Sequence, residues 1–204
     1  MTTRLDEKGD KDEKDEKNEG LRIQEKMLEA RTILVADEVS DEMYRKVASS
    51  LILLERLDPV APITVFVNSP GGSADSGFAI YDLLRFTSCP VRTVANGVVA
   101  SAAVLIYLGA PKGQRHCLPN ARFLLHQPST MVRGRQIDID IAAKEIIKLR
   151  RRYNEIVAET TGKPVEVIDR DSDRDFWLSA GEAKEYGLVD HVVRNRQELE
   201  ARTS

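Results

Sequence analysis

The sequence predicts an α/β fold, a sheet built from repeated βαβ units, and three observations lead there. Short apolar runs, Thr32-Ile-Leu-Val-Ala36, Ile63-Thr-Val-Phe-Val67, Val91-Arg-Thr-Val-Ala95 and Arg122-Phe-Leu-Leu-His126, recur along the chain. Segments of helical periodicity lie between them, and crossovers of ten or more residues return each strand parallel to the last. At 204 residues, with 42% hydrophobic and 31% charged side chains, the chain suits one domain with a real core and is short for two.

The elements follow in order. Ser40 reads as the N-cap of a helix to about Arg56, whose Met43, Val47, Leu51 and Leu54 share one face. The second strand ends in Asn68-Ser-Pro-Gly-Gly72, and a helix from about Ser76 to Phe86 follows. After the third strand comes VASAAVLIYLGA (residues 99–110), an apolar run with one hydroxyl, Ser101, at a strand-to-helix junction. From Ile137 to Glu159 the residues Ile139, Ala142, Ile146, Leu149, Tyr153 and Ile156 alternate steps of three and four, a heptad seam on one long helix. Acids near its start and Arg150, Arg151 and Arg152 toward its end suit the helix dipole. The seam packs either on the chain's own sheet or, as a projecting helix, against another subunit. Ser179 and Glu182 form a capping box for a short helix that stops at Gly187, and Leu188–Val193 resumes an extended run.

Charge narrows the function classes. Residues 1–20 hold 8 acidic and 5 basic residues, the whole of the formal net charge of −3, leaving the other 184 residues with 25 of each sign. A neutral body gives no reason to expect nucleic acid or an anionic membrane as partner. The first 20 residues have only Met1 and Leu5 as large apolar groups, too few to offset their ordering entropy, so they read as a disordered tail before a single domain over 21–204. They lack the apolar core of a secretion signal, and no run is long enough to span a bilayer. Two cysteines, Cys89 and Cys117, make neither a disulfide framework nor a metal site, which points to the reducing cytoplasm.

The chemistry must come from few groups. Of three histidines, His116 lies in what reads as a polar turn and His191 among late strand residues, while His126 ends an apolar strand before Gln127-Pro128. Strand ends of parallel sheets are where α/β enzymes hold ligands. Ser101 sits where helix N–H groups gather, but a serine needs an imidazole, itself oriented by a carboxylate, to act as nucleophile. On the residues alone Ser101 is most simply a cap or a packing residue. Asp171, Asp173 and Asp175 form the densest acidic group after His126, and bottom-up reasoning does not choose among them. Asn68-Ser-Pro-Gly-Gly72 suits a type II turn whose glycine amides can approach a substrate oxygen. The nucleophile-elbow pattern Gly-x-Ser-x-Gly is absent, since Val99 and Ala103 occupy its glycine positions, which disfavours an ordinary α/β-hydrolase.

In sequence order, Asn68-Ser-Pro-Gly-Gly72, Ala100-Ser101-Ala102, Leu125-His126-Gln127-Pro128 and Arg174-Asp175-Phe-Trp-Leu-Ser-Ala180 resemble the ClpP family, the proteolytic subunits of Clp protease. The resemblance spans roughly Ile33 to Val193 and takes in Leu118-Pro-Asn120, Asp138-Ile139 and Glu185-Tyr-Gly-Leu-Val-Asp190. It implies the ClpP/crotonase fold with a projecting handle helix. Ser101 would be the nucleophile, His126 the general base and then acid, and Asp175 the orienting carboxylate, with the Gly72 and Ala102 N–H groups as oxyanion hole. It also implies no cofactor or metal in this chain, since ATP is used by a partner AAA+ Clp unfoldase that delivers unfolded protein. The subunits would form heptameric rings stacked in pairs, the handle helices interdigitating and Arg174 contacting the facing ring, with a ClpP paralogue as a further partner.

The sequence departs from that family in three places. The charged tail and Leu21-Arg-Ile-Gln-Glu-Lys-Met27 stand where the family has a short apolar pore segment. In the outer pocket for the unfoldase loop, Thr64 and His116 replace aromatics, while Phe66, Phe86 and Val193 keep part of its apolar character. After His126 the family's Gly-Gly pair is missing, and Thr130 and Met131 add side chains to the groove. Two other readings follow: a non-catalytic or modulatory subunit in mixed rings with an active paralogue, and a crotonase-like hydratase or isomerase, which would not need the Ser-His-Asp set.

Overall fold

The apolar runs pair into one sheet whose third strand serves two branches. The computed structural model describes residues 19–128 and 133–201. The expected tail falls outside them as far as residue 18, while Glu19 and Gly20 already begin a helix, α1 (residues 19–29). Strands β1 (Thr32–Val35), β2 (Ile63–Ser69) and β3 (Val91–Ala100) pair in parallel, with α2 (Asp41–Leu57) and α3 (Ala74–Phe86) as crossovers. Ser40 caps α2 as expected, its hydroxyl accepting the Met43 N–H.

β3 is ten residues long and outruns its first neighbour. Its early half pairs with β4 (Arg115–Cys117), and its last residues, Val98 to Ala100, pair with β5 (Arg122–Leu125). Between them runs α4 (Ala102–Leu108), whose seven residues are all buried. A helix apolar all round has to be interior, and α4 is clasped between the sheet, α3 and the long α5 (Gln136–Thr161). Each large aliphatic side chain sealed there contributes about 1.5–3 kcal/mol of hydrophobic stabilisation.

Three short elements differ from the sequence expectation. His116 lies not in a polar turn but in β4, fully buried, with its ring stacked on that of His191 at a centroid separation of 5.4 Å. β4 is inconspicuous because its three residues, Arg-His-Cys, are polar in name. Arg115 is only 2% exposed, yet its guanidinium meets Asp190 bidentately at 2.7 and 3.0 Å. Asp190 leads into β7 (His191–Val192), which pairs parallel with β4. The chain also forms α6 (Val165–Asp171), and β6 (Phe176–Ser179) pairs antiparallel with β5, so the sheet is not wholly parallel. β6 hides in sequence because it runs directly into the Ser179 capping box of α7 (Ala180–Tyr186), which ends at Gly187 as expected.

The heptad seam divides into two regimes. The C-terminal half of α5 buries Tyr153, Asn154, Val157 and Ala158 against its own domain, whereas Ile137, Ile139, Ile141 and Ile147 of the N-terminal half are exposed. Packing on the chain's own domain therefore holds for the C-terminal half, and the exposed isoleucines leave the N-terminal half available to a second subunit. A last helix, α8 (Arg196–Glu200), sets Leu199 beside Val94, Val193 and Phe66 on the opposite sheet face. Thr64, Phe66, His116 and Val193 thus belong to β2, β4 and the end of the β7 run, while Phe86, 83% exposed, stands apart at the end of α3.

Removing one partner of the buried Arg115–Asp190 pair strands the other charge. Asp190→Ala is expected to lower unfolding stability by about 3–5 kcal/mol, read from urea unfolding at fixed protein concentration. A change under 1 kcal/mol would show that the pair does not hold β4 to β7.

Candidate active site

Ser101 stands at the single residue between β3 and α4, in a backbone conformation of φ 56° and ψ −124°. Residues other than glycine avoid this region, at about 1–3 kcal/mol, unless their surroundings over-determine it. Here β3 is locked to β5 up to Ala100–Leu124, and the Ser101 N–H donates to the Leu124 carbonyl at 3.0 Å. On the other side α4 is fixed by total burial, so the chain must turn within one residue. The result is a sharp strand-to-helix elbow made without glycines, since the flanking Val99 and Ala103 are fully buried. The capping explanation for Ser101 fails: its hydroxyl makes no cap hydrogen bond. Its side is turned to a cleft that Ser101 lines together with His126.

The Asn68–Gly72 loop is built to approach that elbow. Asn68 Oδ1 accepts the Val98 N–H at 2.9 Å, at the irregularity where β2 and β3 shift register. The buried Ser69 hydroxyl accepts the Gly71 N–H and donates to the Asp37 carbonyl, which sets the Pro70-Gly71 turn. Gly71 has φ 92°, as the third position of a type II turn requires. A Cβ there would lie 2.6 Å from the Ala100 oxygen and 2.7 Å from Ser101 Cβ. Gly72, at φ 145°, bridges to Val39, and a Cβ on it would collide with the Val39 carbonyl. The ladder to Val39 is completed by Gly71 and Ser73, so the Gly72 N–H is not used in it. Ala102 opens α4, and the first amides of a helix have no partner within it. The sequence marks this loop by its Pro-Gly-Gly turn alone; the positioning hydrogen bonds of the Asn68 and Ser69 side chains are what the structure adds.

The β5–β6 register explains how histidine and carboxylate meet. Leu125 pairs with Phe176, so one step beyond the last pair His126 faces Asp175. His126 Nδ1 lies 3.6 Å from Asp175 Oδ1, with the carboxylate side chain 66% exposed. The two other candidates are engaged elsewhere. Asp171 accepts the Tyr186 hydroxyl at 2.9 Å and meets Arg170, and Asp173 accepts from Gln127 Nε2 at 2.7 Å. Burial, reinforced by Asp171, pushes the Tyr186 phenol above its ordinary range, so it stays a donor. Arg174 is exposed in the same turn.

Ser101, Ala102, Gly72 and His126 all line one cleft of about 660 Å³. Phe78, Leu105, Ile146 and Leu149 give it an apolar wall, so the seam of α5 faces the cleft as well as solvent. Thr130 and Met131, expected beside the groove, lie outside the described residues. Among the described residues no three His, Cys, Asp or Glu side chains cluster as metal ligands, and no helix is long and apolar enough to cross a membrane.

An elbow serine and a histidine lining one cleft, with a carboxylate beside the histidine, suit a serine peptidase, and comparison with known proteins shows it to be of the Clp type. A model described as Clp protease matches residues 14–196. The ATP-dependent Clp protease proteolytic subunit 3 of Rhizobium meliloti is 45% identical over 195 residues, covering 94% of this chain and all of that protein. Subunit 2 of Treponema denticola is 41% identical over 182 residues, covering 89% and 91%. A solved ClpP1 point mutant from Listeria monocytogenes superposes with a TM-score of 0.81 at 43% identity, covering 87% of this chain and 99% of that one. The chain belongs to the Clp protease family.

The close approach of Gly71 to the elbow gives a direct prediction. Gly71→Ala is expected to lower kcat/KM for a fluorogenic peptide by roughly a hundredfold or more, because displacement of the elbow by about 1 Å misaligns the nucleophile. Unchanged kinetics would show that the loop can withdraw from Ser101 without consequence.

Proposed function

We propose that this peptidase cleaves peptide bonds of unfolded protein with Ser101 as nucleophile, His126 as proton carrier and Asp175 as orienting carboxylate. The observation that carries the reading is the strained elbow at Ser101, hydrogen-bonded to Leu124 two residues before His126, opposite an uncommitted Asp175. Of the two described non-glycine residues at positive φ, Arg31 spends its side chain on the Leu54, Asp58 and Ala61 carbonyls, whereas Ser101 makes no cap hydrogen bond and lines the cleft, the mark of a position kept for function.

The chemistry follows from the groups. Ser101 Oγ attacks the scissile carbonyl carbon while His126 takes its proton, and the negative charge gathers on the carbonyl oxygen. The Gly72 and Ala102 N–H groups donate to that oxyanion, a contribution of about 3–4 kcal/mol per donor where it has been measured in such sites. His126 then gives the proton to the leaving amine, the C–N bond breaks, and an acyl ester remains on Ser101. Water, activated by the same imidazole, attacks the ester, releases the acid and restores the serine. No step uses a metal or cofactor bound by this chain, and Asp175 only orients the imidazole.

The apolar wall of Phe78, Leu105, Ile146 and Leu149 suits an extended chain with an apolar side chain at the cut. The exposed isoleucines of α5, with Leu34, Ile52, Leu53, Phe86 and Trp177, supply more apolar surface than a monomer needs. That supports self-assembly; the heptameric rings stacked through the handle helices, Arg174 at the facing ring, and an ATP-using AAA+ Clp unfoldase as partner in the cytoplasm are added to the proposal from membership of the Clp protease family. No observation favours a purely structural role in mixed rings with a paralogue.

A fluorophosphonate probe is expected to label the assembled protein at one residue, Ser101. Labelling disappears in Ser101→Ala and falls by roughly a thousandfold or more in rate in His126→Ala. Absence of label in particles of full assembled mass would contradict the triad, as would equal labelling of the His126→Ala variant.

A further inference from the structure

The contact between His126 and Asp175 is itself too long for a hydrogen bond, at 3.6 Å, and its carboxylate is mostly exposed. Something else has to hold the two side chains in register. The β5–β6 ladder does so only as far as Leu125 and Phe176, where its strand pairing ends. On the far side of the turn, Ser172 is tied to Asn154 of α5, and Asn154 and Arg150 both donate to Asp169 of α6. These bonds fix the root of the turn to α5 but leave its approach to His126 unset. Among the described residues, one side-chain bond spans the gap. Gln127, next to His126, donates from Nε2 to Oδ1 of Asp173, two residues before Asp175, at 2.7 Å.

We propose that the Gln127–Asp173 hydrogen bond is a positioning clamp that closes the open end of the β5–β6 ladder and holds His126 against Asp175. The inference rests on the triad reading above. Gln127 and Asp173 are positioning residues and take no part in proton transfer. The charge-assisted amide-to-carboxylate bond is stronger than a neutral one, and it acts across a turn that would otherwise swing on the Ser172 root. A residue pair of this kind affects kcat rather than KM, because it aligns the imidazole without touching the substrate.

The test uses three variants of the full chain, assayed with a small fluorogenic peptide, with particle mass measured alongside. Gln127→Met keeps the length and removes the donor. Gln127→Glu sets carboxylate against carboxylate. Gln127→Glu combined with Asp173→Asn exchanges donor and acceptor and restores the bond. Both single variants are expected to lose kcat by roughly ten- to a hundredfold with KM within about twofold, and the exchanged pair to recover to within about threefold of the parent. Parental kcat in Gln127→Met overturns the clamp, and so does an exchanged pair no better than Gln127→Glu alone. Should the single variants fail to assemble, recovery or non-recovery of rate in the exchanged pair decides the matter in the same way. Fluorophosphonate labelling of the parent, lost in His126→Ala, keeps the two questions apart: failure there removes the triad, whereas intact labelling with indifferent Gln127 variants removes only the clamp.

Discussion

The site depends on one constraint, the forced turn at Ser101. A long strand and a wholly buried helix are both fixed by packing, and the single residue between them absorbs the change of direction at φ 56°. The side chain at that point cannot retreat into the core, because the core on both sides is already filled by Val99, Ala103 and their neighbours. Everything else in the site is measured from this elbow: the Gly71 turn by close approach, the Gly72 amide by its bridge to Val39, and His126 through the Leu124 carbonyl.

The branching of the sheet is what gives β3 room to do this. Because β4 pairs only with its early half, the final residues of β3 are free to pair with β5, and β5 in turn recruits β6 antiparallel. Ser101, His126 and Asp175 therefore come from three adjacent strand ends, although the chain separates Ser101 from Asp175 by the whole of α5 and α6. The long helix joins the two roles of the molecule. Its packed half anchors the turn that bears Asp175 through Asn154 and Arg150, and its exposed half carries an apolar face outward.

Much of the architecture was legible because burial imposes periodicity. The parallel strands β1 to β3, the capped α2, the seam of α5 and the capping box of α7 all carry patterns that repeat at the period of their own element. β4, α6 and β6 escaped because none carries a clean apolar pattern: Arg115 owes its burial to Asp190, 75 residues away, α6 shades into the charged run at 170–175, and β6 runs straight into the Ser179 cap of α7. At the site, Ser101 and His126 stood out by rarity and position. The choice of Asp175 over Asp171 and Asp173 came only from family resemblance. Its physical reason is the β5–β6 register, which depends on a strand that sequence pattern did not reveal. The strain at Ser101 was equally hidden, since no glycine marks it.

The most direct measurement of the central claim is a covalent one. A peptidyl chloromethyl ketone can add to a serine oxygen through its carbonyl and then alkylate an imidazole within reach, losing chloride. Mass spectrometry of the digested protein is expected to find the reagent on the His126 peptide, because the hemiketal reverses on unfolding, and alkylation is expected to be far slower in the Ser101→Ala variant. Alkylation of His126 at the same rate in Ser101→Ala, or no alkylation of His126 in the parent, would mean that the elbow hydroxyl and the imidazole do not converge on one bound reagent.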